Sequence, residues 1–361
     1  MSGRRLPPLP TVKDILRMYN INAKRKLSQN FIMDPRLLDR LARAGGPLDG
    51  KVVVEVGPGP GGITRSILGQ GARQCVVIEK DPRFMPALEL LNEASGGRLD
   101  IHLGDVMTFN MEKLFPSNCA TDWDGPPPNI SLIGNLPFNV STPLVIKWLS
   151  AMSSKQSLWS YGRVPLTLCF QQEVAQRMSA PPGDKCRSRL SVVCQNWARV
   201  TQNFVIPGGA FLPKPEVNVG VVTLSPLTVP YIDHSFDTVG KVVTTVFHGK
   251  RKKLYNTIAR LFPKTLSANL CSRIISETGL SPESRAIDLD MGDWARLCNS
   301  YVRIIKENPS LAKFNPRGRK MELEDAMYDN GDLFIDDGGE DRDDFKHSLV
   351  SDSDRQWRSA E

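Results

Sequence analysis

Short runs of β-branched and other apolar residues alternate with stretches of helical character between residues 52 and about 224. Each short run has the length of a buried strand and is followed by turn residues or by a helical stretch. Strands that alternate with helices predict an open, mainly parallel sheet with helices on both faces. The alternating run at residues 217–224 predicts the strand that closes this sheet.

Beyond the segment SPLTVP at residues 225–230 the pattern becomes helical, with runs around 239–247, 254–261 and 294–305. These runs predict a small all-helical domain after the sheet. We therefore expect an α/β domain at residues 1–226 and a helical domain at residues 227–320. An acidic tail at residues 321–361 has little apolar surface to bury, and we expect it to be disordered.

The acidic tail hides how basic the rest of the chain is. The formal net charge is +7, yet residues 321–361 hold 14 acidic against 4 basic residues. The preceding 320 residues therefore carry 42 basic and 25 acidic residues, a net charge of +17. A body of this charge favours a polyanionic partner such as a nucleic acid.

The first predicted strand runs directly into a glycine turn. Gly57, Gly59 and Gly62 follow the apolar run VVVEV at residues 52–56 and fit the G-x-G-x-x-G spacing of nucleotide-binding turns. Glycines let the backbone turn sharply and approach a ligand, while the next helix offers free N–H groups. The turn alone is equally compatible with a dinucleotide and with S-adenosylmethionine.

Acidic residues follow the next two predicted strands. Glu79 ends the run CVVI and is suited to accept both ribose hydroxyls of an adenosine group. Asp105 ends the third strand, where its carboxylate can accept the adenine amino group while the N–H of Val106 donates to the ring. An acid at the end of the third strand, Asp105, favours S-adenosylmethionine over a nicotinamide cofactor.

The segment Asn135, Leu136, Pro137 and Phe138 follows the fourth predicted strand. An exocyclic adenine nitrogen is a poor nucleophile because its lone pair is delocalised into the ring. The amide oxygen of Asn135 and the carbonyl of Leu136 can accept its two hydrogens and favour a more tetrahedral nitrogen. Pro137 stiffens the loop, and Phe138 offers a face for stacking an unpaired base. We expect these four residues to carry out catalysis.

Taken together, these motifs resemble the rRNA adenine N6,N6-dimethyltransferase family, and especially its animal mitochondrial members. The resemblance covers roughly residues 10–320. The matching segments are residues 26–32 (KLSQNFI), 55–62 (EVGPGPGG), 79–81 (EKD), 104–106 (GDV), 135–143 (NLPFNVSTP), 187–192 (RSRLSV) and 211–217 (FLPKPEV).

The resemblance implies a Rossmann-like class I S-adenosylmethionine-dependent methyltransferase. Such enzymes dimethylate two adjacent adenines in a hairpin loop near the 3′ end of small-subunit rRNA. The resemblance also implies a cofactor-binding role for residues outside the glycine turn and the two acids. These are Gln29, Asn30, Ile32, Lys80 and Asn135, the last in addition to its catalytic role. Base stacking is implied for two residues, Phe138 and Phe211. Phe138 departs from many bacterial relatives, which carry Tyr there, so stacking is retained and a hydroxyl is not.

Basic clusters mark candidate RNA contacts. We expect RNA binding by a pair of arginines and by a basic run flanked by two aromatic residues. These residues are Arg187, Arg189, Lys250, Arg251, Lys252 and Lys253. A third cluster lies at residues 24–26. Backbone contacts of this kind give affinity with strong salt dependence, and loop adenines give selectivity.

Other classes of function find less support in the sequence. The seven cysteines are scattered without C-x-x-C pairs, and the four histidines lack ligand spacing, so we expect a reducing compartment and no metal site. No apolar stretch is long enough to cross a bilayer. A dehydrogenase would need a catalytic acid or base that the sequence does not reveal. A non-catalytic nucleic-acid-binding factor remains an alternative.

The expected setting follows mainly from the resemblance. It implies the mitochondrial matrix, small-subunit rRNA, the assembling mitochondrial small ribosomal subunit, and the mitochondrial transcription machinery as a further partner. We expect a monomer. Arg4, Arg5 and Lys13 precede the first acid, Asp14, as in a short targeting segment, but the prolines at 7, 8 and 10 disfavour a regular amphipathic helix.

Overall fold

A seven-stranded sheet forms the centre of the protein in a computed structural model, which describes residues 6–21 and 29–315. Its strands lie in the order β4-β3-β2-β5-β6-β9-β7, and β1 pairs with β8 in a separate two-stranded sheet. The strands are β1 (Phe31–Ile32), β2 (Val52–Val56), β3 (Gln74–Glu79), β4 (Leu99–Leu103), β5 (Ile130–Gly134), β6 (Leu166–Gln171), β7 (Ala198–Ile206), β8 (Phe211–Leu212) and β9 (Val219–Pro226).

The strands that carry the predicted motifs are parallel. β2 pairs in parallel with β3 and β5, β3 with β4, and β5 with β6, whereas β9 is antiparallel to β6 and β7. All five residues of β2 are buried, as expected for a central strand covered on both faces. The predicted mainly parallel sheet is confirmed. Because parallel strands end at the same edge, the loops after β2, β3, β4 and β5 meet there.

Eleven α-helices accompany the strands within the described residues. They are α1 (Val12–Met18), α2 (Pro35–Arg43), α3 (Gly62–Gly69), α4 (Met85–Ser95), α5 (Phe138–Ser153), α6 (Gln172–Ser179), α7 (Arg189–Trp197), α8 (Phe236–Phe247), α9 (Leu254–Ile258), α10 (Lys264–Thr278) and α11 (Met291–Glu307). Local caps set several of these boundaries. Asp34 accepts from the N–H of Arg36 ahead of Pro35, and Asp290 forms a capping box with Asp293.

The helical part after β9 agrees with the pattern read from the sequence and adds one helix to it. α8 and α11 contain two of the predicted runs, and the third is divided between α9 and a 3-10 turn at Ala259–Leu261. α10 was not predicted, because its apolar pattern is weak. The three predicted domain ranges stay predictions. The predicted acidic tail lies outside the described residues.

Two arginines predicted to bind RNA lie in the protein interior instead. Arg187 is fully buried, and its guanidinium donates to the carbonyls of Ala180 (2.7 Å) and Leu289 (3.1 Å). Arg189 is 6% exposed at the start of α7. An arginine whose donors are used on buried carbonyls joins chain segments and cannot reach a phosphate from there. The structure therefore corrects the surface placement expected for both residues.

Candidate functional site

A cavity of about 310 Å³ opens at the carboxyl edge of the parallel strands. This volume is in the range of pockets that hold small molecules. Its wall is formed by the segment before β1, the glycine turn, and the loops after β3, β4 and β5. The predicted site residues that line it are Gln29, Asn30, Ile32, Gly57, Gly59, Glu79, Lys80, Asp105, Val106, Asn135, Leu136 and Pro137.

The glycine turn after β2 needs glycine for two reasons. Gly57 and Gly59 have φ values of 66° and 54°, a region that side chains with Cβ rarely adopt. Space is also short, because a Cβ at Gly57 would lie 2.7 Å from Cδ2 of Leu136, and one at Gly59 would lie 3.2 Å from the ring of Phe31. The turn is thus packed against both neighbouring walls of the cavity.

Glu79 is held in place by backbone donors at the end of β3. Its Oε2 accepts from the N–H of Gly59 (2.9 Å) and its Oε1 from the N–H of Asp81 (2.8 Å). Burial raises the pKa of Glu79, and these backbone hydrogen bonds oppose that rise. Each carboxylate oxygen can accept a second hydrogen bond, so the residue can still bind hydroxyl groups at the cavity.

Asp105 lines the cavity after β4. Its Oδ2 pairs with Nζ of Lys80 at 2.6 Å, and its Oδ1 accepts from the N–H of Met107 at 2.9 Å. The Lys80 hydrogen bond is the main reason that the pKa of Asp105 lies below its usual value. The predicted cofactor residue Lys80 therefore contacts Asp105, and the adjacent Val106 is buried in the wall.

The Asn135 segment begins where β5 ends. At Gly134 a Cβ would lie 2.4 Å from the side chain of Val56, so a larger residue would push β5 away from β2. The Asn135 side-chain Nδ2 donates to the carbonyl of Asn30 at 3.2 Å. Leu136 is buried, and Pro137 forms the N-terminal boundary of α5. The amide of Asn135 therefore joins two walls of the cavity.

The two predicted stacking residues are placed differently from the rest. Neither Phe138 nor Phe211 lines the cavity. Phe138 is half-buried and packs against the main apolar core, whereas Phe211 is 4% exposed and belongs to that core. Phe211 is opposite Ile32 in the β1–β8 pair. In this structure Phe211 supports the segment over the cavity, and its expected role as an open stacking face is not seen.

Sequence reasoning missed two charged residues beside the cavity. Asp81 lines it, and Arg83 forms a fork of hydrogen bonds to the Asp81 carboxylate. Their nearness to Glu79 in the sequence was a usable signal. Their shared partner, Gln29, lies more than fifty positions away and could not be identified from sequence spacing.

The predicted basic run at residues 250–253 lies on the surface between α8 and α9. Lys250, Arg251, Lys252 and Lys253 are all exposed, and Lys253 also pairs with Glu283 at 2.5 Å. This placement is compatible with RNA contact. The cluster at residues 24–26 lies outside the described residues.

Within residues 6–21 and 29–315, no group of three or more His, Cys, Asp or Glu side chains is arranged to hold a metal ion. Across the same described ranges, no helix has the length and apolar character needed to span a membrane.

Comparison with known proteins gives consistent results. The family model described as "Ribosomal RNA adenine dimethylase" matches residues 20–302. The mitochondrial dimethyladenosine transferase 1 of Xenopus laevis is 45% identical over 90% of this chain and 96% of its own length. The human protein of that name is 44% identical, over 92% of this chain and 98% of its own length.

Solved structures show the same fold. A dimethyladenosine transferase from Plasmodium falciparum matches with a TM-score of 0.59 and 24% identity, over 75% of this chain and 96% of its own. The 23S rRNA methyltransferase ErmE matches with a TM-score of 0.54 and 19% identity, over 75% of this chain and 98% of its own. The predicted Rossmann-like methyltransferase fold is therefore confirmed. The family match and the close relatives show that this chain belongs to the ribosomal RNA adenine dimethylase family.

Proposed function

We propose that the chain uses S-adenosylmethionine to dimethylate N6 of two adjacent adenines in a hairpin loop near the 3′ end of mitochondrial small-subunit rRNA. Its role in the mitochondrial matrix is then to support assembly of the small ribosomal subunit. One observation carries the proposal. The Asn135 segment lines the cavity at the carboxyl edge of the sheet, in a chain that belongs to the ribosomal RNA adenine dimethylase family.

The residues around the cavity fit an adenosine-containing cofactor. Gly57 and Gly59 allow close backbone approach, and Glu79 keeps acceptor capacity for ribose hydroxyls. Asp105, with a lowered pKa, is a charged acceptor suited to an adenine amino group. We assign Gln29, Asn30 and Ile32 to the wall that closes over the bound cofactor, which supplies an electrophilic methyl on a sulfonium.

The protein's part in the reaction is to position the amine. The Asn135 amide nitrogen donates to Asn30, so its oxygen is the end left to accept a hydrogen from N6 of the target adenine. The Leu136 carbonyl accepts the second hydrogen, and Pro137 fixes the loop between β5 and α5. Placement of the reacting groups supplies most of the rate in such a site. Phe138 remains our candidate for base stacking.

Affinity for RNA is assigned to the exposed basic run at residues 250–253, since Arg187 and Arg189 are buried. The relatives are named mitochondrial, and we extend that location to this chain. We further propose that the protein acts as a monomer. An additional role with the mitochondrial transcription machinery is compatible with the basic body, but no feature of the described residues favours it over rRNA binding.

Mass spectrometry of rRNA fragments after incubation with methyl-labelled cofactor tests the proposal. We expect dimethyladenine at two adjacent loop positions with the wild-type protein. Asn135→Ala should bind cofactor with near wild-type affinity yet transfer no methyl groups, whereas the exposed Asn118→Ala variant, away from the cavity, should behave as wild type. Normal turnover by Asn135→Ala would remove Asn135 from the mechanism.

A complementation experiment separates this enzyme from a non-catalytic binding factor. Ribosomes that lack the modification should regain it with the wild-type protein and not with Gly59→Arg, which fills the glycine turn beside Phe31. Restored ribosome assembly by both proteins without methylation would favour the binding role.

A further inference from the structure

Three side chains form a hydrogen-bonded network at the edge of the cavity. Arg83 Nε donates to Oδ1 of Asp81 at 3.0 Å, and Arg83 Nη2 donates to Oδ2 at 2.6 Å. Nε2 of Gln29 donates to the same Oδ2 at 3.2 Å. Arg83 Nη2 also approaches Oε1 of Gln29 at 3.4 Å. Asp81 and Arg83 thus hold both ends of the Gln29 amide.

This network is largely buried at Asp81 and contains an ion pair. The Asp81 side chain is 1% exposed and that of Arg83 is 30% exposed. The forked Arg83 hydrogen bonds lower the pKa of Asp81 to about 2, so the carboxylate is ionised at neutral pH. A guanidinium that binds both oxygens of a carboxylate fixes direction as well as distance. The pair can therefore determine where Gln29 lies.

The position of Gln29 bears on the catalytic segment through the next residue. The carbonyl of Asn30 accepts the Nδ2 of Asn135. A side-chain amide can turn over and exchange its oxygen and nitrogen ends. If the amide turned over here, two oxygen atoms would face each other and the hydrogen bond would be lost. The Asn30 carbonyl therefore selects the amide orientation that leaves the Asn135 oxygen for the substrate.

Two further contacts hold residues 29–32 in place beside this network. The ring of Phe31 packs edge-on against Phe84, the residue after Arg83, with centroids 5.7 Å apart. Ile32 pairs with Phe211 across the β1–β8 ladder. The network is also connected to Glu79, the acid proposed to bind the cofactor ribose, because the N–H of Asp81 donates to Oε1 of Glu79.

We propose that Asp81 and Arg83 are positioning residues that hold Gln29 and Asn30 in place, so that the Asn30 carbonyl orients the amide of Asn135 towards the adenine amine. The inference rests on the proposed methyl transfer and adds residues that act through Asn135. The proposal connects the loop after β3, which lines the cofactor cavity, to Asn135, which orients the adenine amine.

The test compares Arg83→Ala, Arg83→Lys and Gln29→Ala in the full-length protein. Methyl transfer is measured at saturating cofactor and hairpin RNA, and cofactor affinity is measured separately by calorimetry. We expect kcat to fall about tenfold or more in Arg83→Ala and in Gln29→Ala, the size expected when a charge-assisted contact is lost. In Arg83→Ala, whose side chain is not part of the cavity lining, the dissociation constant for the cofactor should change much less than kcat, and Arg83→Lys should recover part of kcat.

Arg296→Ala is the matched control. Arg296 also pairs with an aspartate three positions away, Asp293, but on α11 and outside the cavity lining. It should leave kcat unchanged. Thermal unfolding of each variant shows whether the fold is intact. Gln29 is only half-buried, at the cavity wall, so its variant tests the proposal even if Arg83→Ala fails to fold.

The outcomes are distinct. Wild-type kcat in folded Arg83→Ala or in Gln29→Ala would overturn the proposal. A rise only in the KM for cofactor would overturn it as well, because it would show a binding role without orientation of Asn135. A wild-type protein that methylates no adenine would instead overturn the proposed function.

Discussion

The backbone N–H of Gly59 donates a hydrogen bond to Oε2 of Glu79 over 2.9 Å. This contact joins the glycine turn after β2 to the acid that ends β3, and it holds the Glu79 carboxylate at the cavity wall. The two most conspicuous sequence motifs are therefore parts of one structure. A change in the backbone at Gly59 should therefore shift the Glu79 carboxylate. The positive φ of Gly59 offers a way to test this, because a residue with a Cβ is strained there.

Gly59→Ala should weaken cofactor binding. The alanine would have to adopt a φ of 54°, and its Cβ would lie 3.2 Å from the Phe31 ring. The left-handed conformation alone costs about 1 kcal/mol or more for a residue with Cβ. Gly97→Ala is a matched control, because Gly97 has a φ of 78° and no heavy atom within 4 Å of the added Cβ.

Both glycine variants should lose stability in chemical unfolding. Only Gly59→Ala should raise the dissociation constant for S-adenosylmethionine in calorimetry. Equal cofactor affinity in the two variants would show that the turn does not contribute to the binding site.

Glu55→Gln should change how stability depends on pH. Burial raises the pKa of Glu55 in β2 to about 8, from an ordinary value of 4.5, and the nearby Glu79 acts in the same direction. The folded protein thus holds this proton more tightly than the unfolded chain does. Its contribution to stability is complete below pH 4.5 and is lost as the pH rises from there to about 8.

Glutamine is neutral at all these pH values, so the variant lacks this loss. We expect its free energy of unfolding to exceed that of the wild type by an amount that grows with pH, reaching on the order of a few kcal/mol near pH 8. Denaturant unfolding at a series of pH values measures the difference. A difference that does not vary with pH would show that Glu55 ionises normally in the folded state.

Arg187→Met should reduce stability and not RNA affinity. The substitution removes the donors to the buried carbonyls of Ala180 and Leu289. The Ala180 carbonyl still accepts from Nε2 of Gln195 at 3.0 Å, so the main loss is at Leu289, where a buried acceptor left without a partner costs about 1 to 3 kcal/mol. Chemical unfolding and a filter-binding assay with hairpin RNA test the two halves of this expectation. Loss of RNA affinity in a variant of unchanged stability would restore the original prediction that Arg187 contacts RNA.

The double variant Lys250→Ala, Lys252→Ala should show the opposite behaviour. Both side chains are exposed, so their removal should hardly change the melting temperature. If each contacts a phosphate, the slope of log K against log salt concentration should become shallower by about 1 for each lysine. Lys264→Ala, an exposed lysine at the start of α10, serves as a comparison. An unchanged slope in the double variant would exclude the basic run from the interface.

The elements around the cavity show how far sequence reasoning reaches. The glycine turn, Glu79, Asp105 and the Asn135 segment each follow an apolar strand directly, and parallel strands bring their carboxyl ends to one edge. Their meeting could therefore be predicted without coordinates. The overlooked α10 shows a limit of the same reasoning, because only three of its residues are buried and its apolar pattern is weak.

The sequence by itself determined the family, the parallel sheet and the motifs at its edge, since each depends on local pattern and chain order. Only the tertiary structure decided which charged and aromatic side chains are exposed. Arg187 is enclosed by carbonyls from Ala180 and Leu289, and Phe211 is covered by the core. The Gln29 contact with Asp81 likewise joins residues 52 positions apart. Burial and long-range hydrogen bonds arise from packing in three dimensions, so residue type and local spacing could not reveal them.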